Sequence, residues 1–318
     1  MPFTRANRKE GKISSDRIVS VFSEPRGGST WVSDIFCQLP DSILIMEPLF
    51  LYPLYPEIKD VGFCFHQYIP EDEEWPEAAE YFRKLYNMEI GSRKSVRLYF
   101  FNRTLKRVAR ARHFVYKDCA STMLLPWLTA RFDINPVYVI RHPCAVVASQ
   151  LKYKHWDYIQ KDLLAYFPPE EFRFKEIFYQ YKDIIDKISK PEERMAAEWC
   201  LHNSVTIQHP LNDIRWVTVA YEKLYKEPEQ EIGRIFGRLR LEIPDRVLSE
   251  IRKPSGTALD GSKADIRSGQ QLESWRRSLS QAQVKNILNI VKEFGMDFYD
   301  ESVEPDYRRI FRPPAAAI

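Results

Sequence analysis

Short β-branched runs alternate with helix-spaced segments along this chain, and that alternation limits its fold more than any other feature. Arg17–Ser23 (RIVSVFS) alternates apolar and polar side chains and reads as a strand. In Ser29–Leu39, Trp31, Val32, Ile35, Phe36 and Leu39 fall at helical spacing, with Ser29 suited to the N-terminal turn. Ser42–Met46, His113–Lys117, Pro136–Ile140 and Arg215–Ala220 read as further strands. Helical patterns run through Leu125 and Leu128 and cover Cys144–Lys152, Glu170–Ser189, Arg194–His209, Pro228–Leu239 and Gln281–Phe294. This order predicts an α/β fold: a three-layer sandwich with a mainly parallel central sheet covered on both faces. Ligands of such sheets bind beyond the C-terminal ends of the strands, so the loops after Phe22 and Ile140 are where a site is expected.

No internal repeat and no long Gly/Ser linker divides the 318 residues. The reading is one α/β domain over 17–300, a flexible segment over 1–16 and a C-terminal tail over 301–318. Pro56–Arg112 would be an insertion-like substrate region. Lys plus Arg (47) nearly balances Asp plus Glu (44), and a net charge of +3 argues against bulk nucleic-acid binding. The five cysteines are scattered, odd in number and never spaced Cys-x-x-Cys, so neither a disulfide framework nor a zinc site is expected from them. Met1–Asp16 is polar and basic, unlike a signal peptide. The apolar stretch Ile43–Tyr55 is broken by Glu47, Pro48 and Pro53 and falls short of the about 20 residues that span a bilayer. A cytoplasmic location without a transmembrane segment is expected. The sequon Asn102-Arg103-Thr104 is discounted on that basis.

Strand, glycine turn and helix N-terminus together make a P-loop-like anion site, because backbone amides and the helix dipole converge there. Pro25-Arg26-Gly27-Gly28-Ser29-Thr30-Trp31 adds a cation and two hydroxyls to that geometry; a plain tight turn with a Ser cap is the simpler alternative. The ATP/GTP loop Gly-x-x-x-x-Gly-Lys-Ser/Thr is absent here. A second candidate lies at Arg141 to Ser149, an Arg at a strand end and a Ser eight residues later. Two helical turns can bring such a pair onto one anion, and an Arg salt bridge beside an ordinary helix is the equal alternative.

The first loop resembles the 5′-phosphosulfate loop of sulfotransferases that use 3′-phosphoadenosine 5′-phosphosulfate (PAPS), with Gly27 where Ser is common. Arg141 and Ser149 resemble the same family's 3′-phosphate motif, with His142 in place of the usual Asp and Cys144 in place of the frequent Arg. Val219 to Leu224, with Tyr221, and Leu272 to Leu279 extend the similarity weakly. The resemblance implies cofactor binding by Arg26, Gly27, Gly28, Ser29, Thr30, Trp31, Arg141, Ser149 and Tyr221, with Arg252 and Lys253 adding cations near the 3′-phosphate. It implies PAPS as co-substrate, 3′,5′-ADP as product, and no metal.

Sulfuryl transfer needs in-line positioning and neutralisation of the leaving phosphate, a task for Arg26 and the loop donors. The acceptor hydroxyl, of a carbohydrate or small metabolite, needs a base. Glu47 follows the apolar Ser42–Met46, and apolar surroundings raise a carboxyl pKa toward the range of a general base. Glu47-Pro48-Leu49 also resembles the Glu-Pro segment of carbohydrate-type sulfotransferases, where that Glu is the proposed base. A salt-bridged Glu at a strand end is the competing reading, and His66 is the second candidate base. Lys117 would approach the donor or pair with Asp118 or a neighbour. Eight Lys/Arg and no acid between Gly91 and His113 read first as a solvated face and second as an attractor for an acidic acceptor. Tyr99, Phe100 and Phe101 read first as core and second as a stacking surface. Two other functions stay open: an ATP-dependent nucleotide or small-molecule kinase, and a non-catalytic 3′,5′-ADP/PAPS-binding module.

Overall fold

The computed structural model describes residues 15–49, 58–63, 66–90, 110–119, 121–152, 172–251 and 271–311. Most of the basic stretch (93–109), Tyr99 to Phe101, and Arg252 with Lys253 lie outside these residues, as do 1–14 and 312–318.

Five strands form one sheet: β1 (Ile18–Ser23), β2 (Ser42–Met46), β3 (His113–Asp118), β4 (Asn135–Ile140) and β5 (Val217–Ala220). Their order is β2-β3-β1-β4-β5, and every pairing is parallel. The register sets Ser20 of β1 opposite Tyr116 of β3 and Pro136 of β4. Parallel strands are buried on both faces, which explains why these runs are apolar throughout. Alternation then sorts the side chains. Ile18, Phe22, Phe114, Tyr116, Tyr138 and Ile140 enter one core, while Val19, Val21, Val115, Val137, Val139 and Val219 enter the other.

The valine face is covered by α1 (Ser29–Phe36) and by helices around β5. The opposite face is covered by α2 (Ile58–Val61), α3 (Pro76–Tyr86), α4 (Leu125–Arg131) and α5 (Pro143–Leu151). Two one-turn helices follow, α6 (Glu176–Tyr179) and α7 (Lys182–Ile185), then the long α8 (Pro191–Ile207). After β5 come α9 (Tyr221–Lys226), α10 (Pro228–Leu239), α11 (Val247–Glu250), α12 (Gln281–Glu293) and α13 (Tyr307–Ile310). Helix α8 packs on α5 and α12.

The continuous helix expected over Glu170–Ser189 is, from 172 onward, only these two short turns. Ile177, Phe178, Tyr181, Ile184 and Ile185 keep helical spacing, but only Phe178 is fully buried, and a helix without a buried stripe is marginal. Within the stretch read as a C-terminal tail, Ile310 is fully buried and its carbonyl accepts from Asn212 Nδ2 at 2.7 Å. Among the described residues, no helix is long and apolar enough to cross a membrane.

Strand β1 is central, and the chain leaves it toward β2 on one side and reaches β4 on the other. The C-terminal ends of β1 and β4 therefore flank a topological switch point, the crevice where open α/β sheets bind ligands. Phe236 of α10 anchors the valine face, stacked on Phe36 with ring centroids 5.3 Å apart. Phe236→Ala is expected to lower unfolding free energy by about 3–5 kcal/mol in urea titration; a loss below about 1 kcal/mol would show that this core does not hold the face together.

Candidate active site

The loop leaving β1 is shaped by two glycines. Gly27 N–H donates to the Glu24 carbonyl at 2.8 Å, and a Cβ at Gly27 would sit 2.7 Å from that oxygen. Gly28 is the N-cap of α1, with φ +105, in the left-handed region. A Cβ there would lie 2.5 Å from a carbon of the Tyr221 ring. Ser29 is therefore the first helical residue rather than the cap, and its hydroxyl meets Cys119 Sγ at 3.3 Å. The first-turn amides of α1 lack intrahelical acceptors and carry the positive end of the helix dipole. Thr30 is half-buried beside Ser29. Trp31 is buried, its ring centroid 5.1 Å from that of Tyr221 and 6.4 Å from that of Tyr225. It props Tyr221 from the core side.

The second motif meets the first directly. Arg26 Nε donates to Ser149 Oγ at 2.9 Å, and Arg141 Nη1 donates to the Arg26 carbonyl at 3.2 Å. The Arg141 guanidinium lies 4.3 Å from the Tyr221 ring centre, a cation–π contact. Arg141 Nε is buried and has no hydrogen-bond partner among the described residues. Gln150 Nε2 reaches the Pro25 carbonyl at 3.3 Å, a second tie that sequence reasoning missed. Four separate predictions, Arg26, Arg141, Ser149 and Tyr221, thus converge on one cationic corner.

His142, the departure from the usual Asp, still caps α5: its Nδ1 accepts from Cys144 N–H at 3.1 Å. Burial drives its pKa down to about 4, so the ring is neutral and can accept. The His142 backbone N–H donates to Glu222 Oε1 at 2.8 Å, and burial pushes that carboxyl up to about 7.

Glu47 follows β2 with a left-handed backbone, φ +47, closed by its N–H donating to the Lys117 carbonyl at 2.6 Å. One carboxylate oxygen pairs with Lys117 Nζ, and the other accepts from Cys119 N–H at 2.8 Å. Its polar atoms therefore face an ammonium and an amide rather than the apolar surroundings expected from its neighbours. Lys117 pairs with Glu47, while Asp118 instead accepts from Leu49 N–H at 2.9 Å. Burial would lower the Lys117 pKa, but Cys119 and Glu47 outweigh it and hold the ammonium above its usual range. Burial, with Glu47 alongside, pushes the Cys119 thiol up to about 12. Cys119 links the two halves of the site, Ser29 on one side and Lys117 at 3.3 Å on the other. Its place just past β3 was the available signal, since every parallel strand ends at this edge. His66 is buried and stacked on His202.

A family model described as "Sulfotransferase family" matches residues 19–245, which span the sheet and both loops. No curated protein sequence matches the chain. Among solved structures, the sulfotransferase domain from the curacin biosynthetic pathway is 14% identical and aligns over 90% of this chain and 99% of its own, with a TM-score of 0.48. The sulfotransferase domain of the Synechococcus PCC 7002 olefin synthase is 16% identical over 94% of this chain and 100% of its own, at 0.47. Mouse sulfotransferase SULT7A1, complexed with PAP, is 13% identical over 88% of this chain and 84% of its own, at 0.40. With these TM-scores below 0.5, the match over 19–245 carries the weight.

Gly28→Ala is expected to cost about 2 kcal/mol or more in urea unfolding, from the left-handed backbone and the clash with Tyr221. Combined with Tyr221→Ala, the loss should fall short of the sum of the two single losses; strict additivity would show that the ring does not enforce the glycine.

Proposed function

We propose that this chain, which belongs to the sulfotransferase family, moves a sulfuryl group from PAPS to an acceptor hydroxyl. The observation that carries the reading is the Arg26–Ser149 hydrogen bond, which draws two anion-type loops to one corner of the switch point. A nucleotide with a 5′-phosphosulfate and a 3′-phosphate calls for two adjacent anion sites. In this reading Arg26, the first-turn amides and the hydroxyls of Ser29 and Thr30 take the 5′ group. Gly27 and Gly28 leave room for its approach. Arg141 and Ser149 take the 3′-phosphate, Tyr221 braces Arg141, and Trp31 braces Tyr221. Arg252 and Lys253, outside the described residues, would add charge there.

The acceptor oxygen forms a bond to sulfur while the bond from sulfur to the 5′-phosphate oxygen breaks, and 3′,5′-ADP leaves. Charge gathering on the leaving phosphate meets Arg26 and the loop donors. The hydroxyl proton passes to Glu47. Lys117 and the Cys119 amide fix the Glu47 carboxylate in place, which favours in-line geometry over a freely rotating base. The acceptor is read as a small molecule or carbohydrate, and the location as cytoplasmic, from the family resemblance and the sequence.

By calorimetry, Arg26→Ala and Arg141→Ala are each expected to weaken 3′,5′-ADP binding about 10–100-fold, the worth of one charged hydrogen-bonding group. Equal affinity for 3′,5′-ADP and 5′-AMP would overturn the 3′-phosphate assignment, and magnesium-dependent ATP turnover would put a kinase in its place.

Glu47→Gln is expected to leave 3′,5′-ADP affinity within about twofold and to lower transfer from labelled PAPS by about 10²–10⁴-fold. Near-normal transfer would remove Glu47 as base; wild-type 3′,5′-ADP binding without transfer to any acceptor in a metabolite extract would leave a binding module.

A further inference from the structure

Behind the phosphate loop, three donor side chains meet in the interior. Glu24 follows the last residue of β1, His66 lies between α2 and α3, and His202 is on α8. Each is only 3% exposed. One ligating atom from each lies within 4.8 Å of the other two. His202 Nδ1 stands 2.7 Å from Glu24 Oε2. The His66 and His202 rings stack with centroids 3.4 Å apart and planes 6° from parallel.

A second carboxyl group stands beside this cluster, and burial pushes it up to about 7. Glu198 lies one turn before His202 on α8, is also buried, and interacts electrostatically with Glu24, His202 and Arg194. Arg194 Nε pairs with Glu198 Oε1 at 3.3 Å. Among the described residues Glu24 thus meets His202 and Glu198 meets Arg194, and a buried carboxylate is tolerated where it is paired or holds a metal.

We propose that Glu24, His66 and His202 form a buried binding site for a divalent transition-metal ion of the zinc type. One carboxylate and two imidazoles are donors such ions accept, whereas magnesium and calcium take all-oxygen sets. Three ligands from three distant parts of the chain leave a fourth tetrahedral position for water or another donor. Zinc–nitrogen bonds of about 2.0–2.1 Å place tetrahedral donors about 3.4 Å apart, so on binding His202 Nδ1 and Glu24 Oε2 spread from their 2.7 Å contact while a His66 nitrogen closes on them. A metal lies in the plane of each imidazole it binds, so the two rings must leave their parallel stack, and His66 is the ring that turns. The bound ion braces the residue directly ahead of the Pro25–Arg26 turn, whose carbonyl already holds Gly27. This site stands independently of the donor nucleotide and of Glu47.

The full chain, stripped with a chelator and titrated with Zn²⁺ against a chromophoric competitor, is expected to bind one equivalent and to unfold at a higher temperature when loaded. Co²⁺ in place of zinc is expected to give the intense visible absorption of a tetrahedral site. Glu24→Gln, His202→Ala and His66→Phe are each expected to weaken zinc binding at least tenfold and to abolish that absorption. His66→Phe keeps a ring on His202, so it is the variant to rely on if the other two fail to fold. No zinc binding by the wild-type chain overturns the proposal, as does unchanged binding by folded His66→Phe; the cluster is then a hydrogen-bonded structural pair with a stacked ring.

Discussion

The absence of a side chain at position 28 is the constraint on which the C-terminal edge of the sheet depends. The Tyr221 ring fills the space a Cβ would need, and the left-handed backbone at Gly28 starts α1 immediately after the turn. Because Tyr221 is packed that closely, its face is held for the Arg141 guanidinium. Arg141 in turn grips the carbonyl of Arg26, whose side chain bonds Ser149. One missing methyl group thus fixes a chain of contacts from the start of α9 to the loops after β4 and β1 and on to α5. Cation–π and charged hydrogen bonds of this kind gain strength in a partly dry corner, where solvent screens them less.

The sheet was legible because parallel strands bury both faces, so each left an apolar, β-branched run in the sequence. The β2 bounds, Ser42–Met46, match the expected run, and the other four strands differ from theirs by no more than two residues at either end. The glycine loop after β1 and the Arg141–Ser149 pair stood out in the sequence because each motif is local, with its spacing written within a few residues. His142 was harder: it caps α5, since a neutral imidazole nitrogen can accept from a backbone amide. Helix α3 was not read from the sequence, although its aromatic face packs into the core beneath β3, where Tyr86 meets Tyr116.

Contacts between remote residues left no local trace. Glu24 and His202 are 178 positions apart, and cysteine spacing, the usual pointer to a metal site, has no bearing on a set of one carboxylate and two imidazoles. Glu47 shows the same limit from the other side. Its neighbours in sequence are apolar, yet Lys117, 70 positions away, and the Cys119 amide, 72 away, decide its surroundings. Sequence context reports what a side chain is tethered to, whereas its chemistry follows from what the fold brings opposite it.

The central position of β1 also bears on the order of events during synthesis. The glycine loop after β1 leaves the ribosome early, but Ser149, the partner of Arg26, lies 123 residues further along. At about 5–20 residues per second, roughly 6–25 seconds pass before the two can meet. For most of that interval, until β3 and then β4 have been made, both edges of β1 are open to other chains. The arrangement that gathers this corner from two distant loops therefore leaves the central strand of the sheet unpaired for most of the time its partners take to be made.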